Sequence, residues 1–320
     1  MIDNEYQLTR ILGSGGSSKV FLATDSSNCA CAVKVIRKDK NLSPVAASAM
    51  LEREHEMLVQ LQAHPNIIRS HLTCLDGQLS AKGQSEPVMY NVLELAKHGA
   101  LSNFVRHTGG MEQEVARLYA CQLVSALAFM HSAGFAHLDV KLENVLLDGL
   151  FNLKLADFGS CAWVGDSQGV TDKRRGTLLY MAPEVAGLQT GEHYDAMAAD
   201  VYCAGVTLFV LLTGEFPSAQ DKLQLLSTIE SDQSTVCDMQ VDVDEQPTPA
   251  LSMLTKDVRA LLQSMMHPEA IKRPSIEQVL NHDWLRAEFS PDIMGEVYLE
   301  MNSRKEHMQT SFAGARNRNM

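Results

Sequence analysis

The chain has 320 residues, 45% of them hydrophobic and 21% charged; it is too apolar for wholesale disorder and long for one small core, so two lobes are expected. Lys and Arg number 27 against 39 Asp and Glu, a net charge of −12, which argues against broad binding to nucleic acid or to an anionic membrane surface. Seven cysteines form no CxxC pair and no Cys/His metal spacing, so reduced thiols in a cytosolic or nuclear compartment are expected.

Three strand-like segments open the chain, QLTRIL, KVFLATD and CACAVKVI, separated by Gly/Ser and Asp/Ser/Asn turn clusters. The first turn, Gly13 to Val20 (GSGGSSKV), has backbone N–H groups that could close over phosphates, and a plain hairpin turn fits it equally well. A Walker loop would need Gly and Ser or Thr where Ser18 and Val20 stand, and a dinucleotide turn would need a helix where a strand follows. Alternation in CACAVKVI puts Ala30, Ala32, Lys34 and Ile36 on one face and Cys29, Cys31, Val33 and Val35 on the other. Lys34 therefore shares its face with two small residues, a flat floor for a planar ring, although an edge-strand lysine would read the same way.

Ser43-Pro44 is a helix start, after which Val45, Ala49, Met50, Met57, Leu58 and Leu61 recur at helical spacing until His64-Pro65. Glu54 falls within that apolar stripe, whereas Glu52 and Glu56 point away. A carboxylate buried alone costs on the order of several kcal/mol, so Glu54 demands a cation such as Lys34 unless it sits at a frayed edge of the stripe. After the strand-like VMYNVLEL the pattern turns helical, with a core-facing stripe from Val115 to Met130. Short strands around Val145 to Leu147 and Leu153 to Leu155, a polar loop over 164–177, and helices near 200–213, 219–230, 255–266 and 275–280 follow. The longest nearly apolar run, Val201 to Leu212, is too short to cross a bilayer and reads as a buried helix. Residues 184–260 carry thirteen acidic side chains against Lys222, Lys256 and Arg259, which is either a solvated surface or a platform for a basic partner.

His137-Leu138-Asp139-Val140-Lys141-Leu142-Glu143-Asn144 precedes the first of those short strands, and Ala156-Asp157-Phe158-Gly159 follows the second. Together with the Gly-rich turn, Lys34 in AVKV and Ala182-Pro183-Glu184, all in this order over residues 6 to 285, they resemble the signature set of eukaryotic-type serine/threonine protein kinases. HDWL at 282–285 is loosely similar to the calcium/calmodulin-dependent and SNF1-like groups. The resemblance implies an α+β, bilobal fold: an ATP-binding N-lobe over 1–96 with a small antiparallel sheet and one helix, a mainly helical C-lobe over 97–288, and a partly helical tail over 289–320.

The resemblance further assigns Lys34 to the α- and β-phosphates of ATP, Glu54 to holding that lysine, Asp139 to the proton of the incoming hydroxyl, Lys141 to the γ-phosphate, and Asn144 and Asp157 to Mg²⁺. Leu12, Gly13, Gly15, Gly16, Val20, Ala32, Leu93, Glu94, Ala96 and Leu146 would surround ATP, with Leu93 at the gatekeeper position. Glu143, Thr177, Leu178 and Leu179 would face the substrate, while Glu184, Arg273 and Asp200 would be structural. No catalytic position is missing, so an active kinase is expected over its alternative, an ATP-binding scaffold.

Three departures from the pattern carry information. Ser18 replaces the third glycine of the loop. Leu138 stands where many kinases carry the arginine that binds a phosphorylated activation loop, and Lys173 stands where several carry the phosphorylated threonine. Activity is therefore expected not to depend on activation-loop phosphorylation, with Thr171 and Ser167 the hydroxyls left to test. In the tail, Ile293, Met294, Val297, Tyr298, Met301 and Met308 recur at helical spacing, but Asp292, Glu296, Glu300 and Glu306 make it acidic, so calmodulin is not an expected partner. Protein substrates are expected, with basic residues before the acceptor and an apolar one after it.

Overall fold

The computed structural model describes residues 1–15, 18–36, 43–81, 83–166, 169–230 and 247–317; Gly16 and Ser167 lie outside them. In chain order the elements begin with strands β1 (Gln7–Ser14), β2 (Ser18–Thr24) and β3 (Ala30–Ile36), helix α1 (Pro44–Leu61), and strands β4 (Ser70–Ala81), β5 (Gln84–Leu93) and β6 (Gly99–Ala100). Helices α2 (Leu101–Thr108) and α3 (Gln113–Ser132) follow, then short strands β7 (Phe135–Ala136), β8 (Val145–Leu147), β9 (Leu153–Leu155), β10 (Ala162–Trp163) and β11 (Val170–Thr171). Helix α4 (Pro183–Ala186) and strand β12 (Tyr194–Asp195) lead to helices α5 (Ala196–Thr213), α6 (Ala219–Glu230), α7 (Pro249–Ser252), α8 (Lys256–Met265), α9 (Ile276–Leu280), α10 (Asp283–Arg286) and α11 (Ile293–Asn317).

Two compact units result, one of Met1–Gly99 with Leu146–Cys161, the other of Ala100–Val145 with Ala162–Met320. The first therefore takes in a segment that a single cut after residue 96 leaves in the C-lobe. The reason is backbone pairing: Leu155 N–H donates to the Asn66 carbonyl at 2.7 Å and its own carbonyl accepts from Ile68 at 2.9 Å. The Asn66 side chain adds a bond to the Leu153 carbonyl at 2.9 Å.

In the first unit an antiparallel sheet runs in the order β1-β2-β3-β5-β4. One face carries a core of Ile2, Tyr6, Ala23, Cys31, Val33, Val35, Tyr90 and Val92, so the alternation expected along β3 holds and Lys34 is left on the other face. The long strand β4 leaves no clear period in the sequence. Its apolar residues never alternate cleanly, because irregularities between Ser70 and Leu72 and between Cys74 and Gly77 shift the register. Helix α1 opens as expected, with Ser43 Oγ accepting from Ala46 N–H at 3.2 Å and Pro44 at its start. Its buried stripe is Ala47, Leu51, Glu54, Met57, Leu58 and Leu61. Val45 and Met50, which the spacing had placed there, are exposed.

In the second unit α3 and α5 form the centre. Ala196–Thr213 is long and apolar enough by length and composition to cross a membrane, but 83% of it is buried inside the unit, so its apolarity is that of a core helix. Helix α11 packs on α2 and α3 through Val297 and Met301, both fully buried. Arg304 of α11 caps the C-terminal end of α2, donating to Thr108 Oγ1 and to the carbonyls of Gly109 at 3.0 Å and Gly110 at 2.6 Å. Glu300 holds that guanidinium at 2.7 Å. Of the acidic stretch over 184–260, Glu184, Asp195, Asp200 and Asp221 make bonds within the unit, while residues 231–246 lie outside the described residues.

Candidate functional site

The first unit holds a buried charge cluster. Lys34 Nζ donates to Glu54 Oε1 at 2.7 Å and Oε2 at 2.9 Å, and to Asp157 Oδ1 at 3.2 Å. Lys34 and Glu54 side chains are 11% and 7% exposed, that of Asp157 54%. Burial pulls the Lys34 amine down, but the charge of Glu54 and then of Asp157 more than offsets it, so the ammonium is held above its ordinary range. Strand β3 and the apolar packing of α1 bring the two groups together across 20 residues. Asp157 sits in left-handed backbone, φ 62° and ψ 76°, a conformation that costs a non-glycine residue roughly 1–3 kcal/mol and tends to persist at functional sites.

Strand register sets the apolar floor beside this cluster. Ala32 is paired with Leu22 on one side and Leu93 on the other, while Lys34 is paired with Val20, and Val20 with Gly13. Ala32 is buried; Val20, Leu93, Ala96 and Leu146 are half-buried, and Leu12 and Gly15 exposed. The hairpin turn is closed by Gly15 N–H donating to the Ser18 carbonyl at 3.0 Å. Glu94 is expected to offer backbone groups to the edge of a planar ligand. Its side chain pairs with Lys154 Nζ at 2.9 Å, and its N–H donates to the Arg69 carbonyl at 2.9 Å. The group left to a ligand is its carbonyl.

The second unit holds a ring of hydrogen bonds around Asp139. Lys141 Nζ donates to Asp139 Oδ2 at 2.6 Å and to Thr177 Oγ1 at 2.7 Å, and Thr177 donates to Asp139 Oδ1 at 2.8 Å. Asn144 Nδ2 donates to the Asp139 carbonyl at 2.8 Å and to Oδ2 at 3.1 Å. Thr177, expected against the substrate, thus belongs to the Asp139 cluster; a contact 38 residues apart leaves no local signal.

What holds the loop is Asp200, fully buried at the start of α5. Its Oδ2 accepts from His137 N–H at 2.7 Å, its Oδ1 from Leu138 N–H at 2.7 Å. His131 Nε2 lies 3.0 Å from Oδ2, a contact across 69 residues that no local pattern signals. Leu138 itself is buried, with φ 64°. Glu184 and Arg273 form a two-pronged pair, 2.7 Å on each prong, and Arg273 also donates to the carbonyls of His267, Ala198 and Pro268.

Glu143 Oε2 accepts from Tyr180 O–H at 3.1 Å. Burial, then the charge of Glu143, raises the Tyr180 phenol, which stays protonated and donates. Tyr180 packs edge-on against Phe216, ring centres 5.1 Å apart. Leu178 and Leu179 project as exposed apolar side chains, the only two adjacent leucines between 170 and 190.

Asn144 and Asp157 suit a hard divalent cation by donor type. The Asn144 NH₂ is spent on Asp139, which leaves its carbonyl oxygen as the available end, and Asp157 offers a half-exposed carboxylate.

Residues 6–285 match the family model described as the protein kinase domain. CBL-interacting serine/threonine-protein kinase 7 of Arabidopsis thaliana is 34% identical over 284 residues, 88% of this chain and 60% of the relative. CBL-interacting protein kinase 5 of Oryza sativa subsp. japonica is 32% identical over 313 residues, 97% of this chain and 62% of the relative. The chain thus spans less than two thirds of either of these relatives.

Proposed function

The chain belongs to the protein kinase family, and on that premise we propose that it is a serine/threonine kinase transferring the γ-phosphoryl group of ATP to hydroxyls of protein substrates, with Mg²⁺ as cofactor. The observation that carries this reading is the hydrogen-bonded ring of Asp139, Lys141 and Thr177 with Asn144 beside it, which is a proton acceptor with a cation next to it. Among the described residues Asp139 Oδ1 has one donor, Thr177, so a second lone pair is open to a substrate hydroxyl and can take its proton. Lys141, held between Asp139 and Thr177, stands ready to offset negative charge that develops as the phosphoryl group moves.

In the first unit Lys34, fixed by Glu54, grips phosphate oxygens, and the small Ala32 leaves room for the adenine ring. Asp157 in the first unit and Asn144 in the second are each of a donor type that would hold Mg²⁺, which when bound would neutralise phosphate charge. Phosphoryl transfer asks mainly for positioning and charge neutralisation, and these residues supply both.

Independence from activation-loop phosphorylation is part of the proposal. Leu138 is buried rather than cationic, and the segment is tied down by β11 pairing with β12, by Ala196 N–H donating to the Gly169 carbonyl at 2.8 Å, and by Tyr194 O–H donating to the Lys173 carbonyl at 2.9 Å. Loss of most activity in Thr171→Ala combined with Ser167→Ala would sink this part. The exposed Leu178 and Leu179 support an apolar residue just after the acceptor. Incubation with radiolabelled ATP, Mg²⁺ and a basic protein tests the whole: wild type incorporates label, Asp139→Asn and Lys34→Met do not. Equal incorporation in all three refutes it.

A further inference from the structure

On the same sheet face as Lys34 lies a second polar group that the reaction does not use. Asn91 of β5 stands directly opposite Lys34 and is itself opposite Thr73 of β4. It is fully buried. Its Oδ1 accepts from Ser70 Oγ at 2.7 Å, and Ser70 Oγ lies 2.8 Å from Nδ1 of His55, the residue after Glu54 on α1. Among the described residues, Asn91 Nδ2 and Thr73 Oγ1 are buried with no partner. An unsatisfied buried polar group costs about 1–3 kcal/mol, and a cost retained this close to the charge cluster points to a role.

The protons fix the direction of the chain. A serine hydroxyl has one hydrogen, and the bare Asn91 carbonyl oxygen takes it, so the Ser70 oxygen is an acceptor toward His55 and Nδ1 must carry the donated hydrogen. The result is a directed relay, His55 to Ser70 to Asn91, running from α1 through the start of β4 to the strand beside Lys34. Helix α1 packs on β4 and β5 and buries Leu51, Leu58 and Leu61, but apolar burial is non-directional and leaves the helix able to slide or roll. Hydrogen bonds have preferred angles and distances and remove that freedom.

We propose that His55, Ser70 and Asn91 are positioning residues that hold α1 at the setting in which Glu54 meets Lys34. For its activity readout this rests on the kinase reading above. The test uses the full chain and three variants, Ser70→Ala, Ser70→Thr and His55→Ala, measured by steady-state kinetics and by backbone hydrogen exchange. Ser70→Ala and His55→Ala are expected to lower kcat about tenfold, with KM for the protein substrate unchanged. Exchange should quicken within α1 while β1 and β2 stay as in wild type, and Ser70→Thr, which keeps the hydroxyl, should restore both. Unchanged kcat and α1 exchange overturn the proposal, as does quickened exchange spread over the whole first unit, or Ser70→Thr behaving like Ser70→Ala. If the wild type transfers no phosphate, the kinase reading fails, and the exchange pattern alone still decides whether the relay sets α1.

Discussion

Replacing Glu54 by Gln removes the main partner of Lys34 while keeping shape and volume. In the wild type the Glu54 side chain is 7% exposed and bonds the ammonium through both oxygens, whereas Asp157 is 54% exposed and 3.2 Å away. The exposed partner is screened and is worth about 0–1 kcal/mol, so Glu54 carries most of the compensation. Breaking a buried pair at one end costs about 3–5 kcal/mol, because the other charge stays buried. A second estimate gives a ceiling: the stranded amine can shed its proton, and from its ordinary value of 10.5 down to pH 7 that costs about 5 kcal/mol at about 1.4 kcal/mol per unit. Urea unfolding of wild type, Glu54→Gln, Lys34→Met and the double variant measures this. Each single change should destabilise by about 2–5 kcal/mol, and the double by clearly less than their sum, with a coupling of about 2 kcal/mol or more. Additive losses, within about 0.5 kcal/mol, would refute the claim that the pair is compensated chiefly by each other.

Gly176 has φ +99°, and a Cβ there would lie 2.6 Å from the Leu138 carbonyl oxygen, so Gly176→Ala should push the activation segment off the catalytic loop and cut kcat about tenfold or more, roughly 1–3 kcal/mol of strain, with thermal unfolding checking that the fold survives. Arg273→Lys replaces a two-pronged, five-donor group by a point charge and should destabilise by about 2–3 kcal/mol, read by denaturant unfolding; a loss under about 0.5 kcal/mol would contradict the bonding described. Burial, then the charge of Asp200, raises the Tyr194 phenol from 10.0 to about 12. A raised value means that its contribution to stability is complete below pH 10 and is lost as pH rises toward 12, so tyrosinate absorbance should lag and the unfolding midpoint fall across that window, less so in Tyr194→Phe.

How much of this was legible in the sequence depends on the range of each interaction. Glu54 could be placed on the buried face of its helix because helical period is local, and the demand for a cation followed from charge burial alone. The same period misplaced Val45 and Met50, which lie where the helix is exposed. Strand alternation found Lys34, and the motif resemblance supplied Asp139, Asn144 and Asp157, yet neither could show Thr177 closing a ring with Asp139, or Lys154 occupying the Glu94 carboxylate 60 residues away. The relay of His55, Ser70 and Asn91 is invisible for the same reason: three common polar residues, meeting only through the fold. Elements as short as α4 and α10, four residues each, are below the length at which any period can be read. The tail shows both cases at once, its apolar spacing legible in Val297 and Met301, its cap on α2 through Arg304 not.

Phosphorylation of serine or threonine through Asp139, as proposed above, is open to a single measurement. Mass spectrometry of a defined peptide library after incubation with ATP and Mg²⁺ tests it most directly. Phosphate is expected on Ser and Thr but not Tyr, enriched where an apolar residue follows the acceptor, and absent with Asp139→Asn. Phosphate on tyrosine, or an undiminished yield from Asp139→Asn, would contradict it.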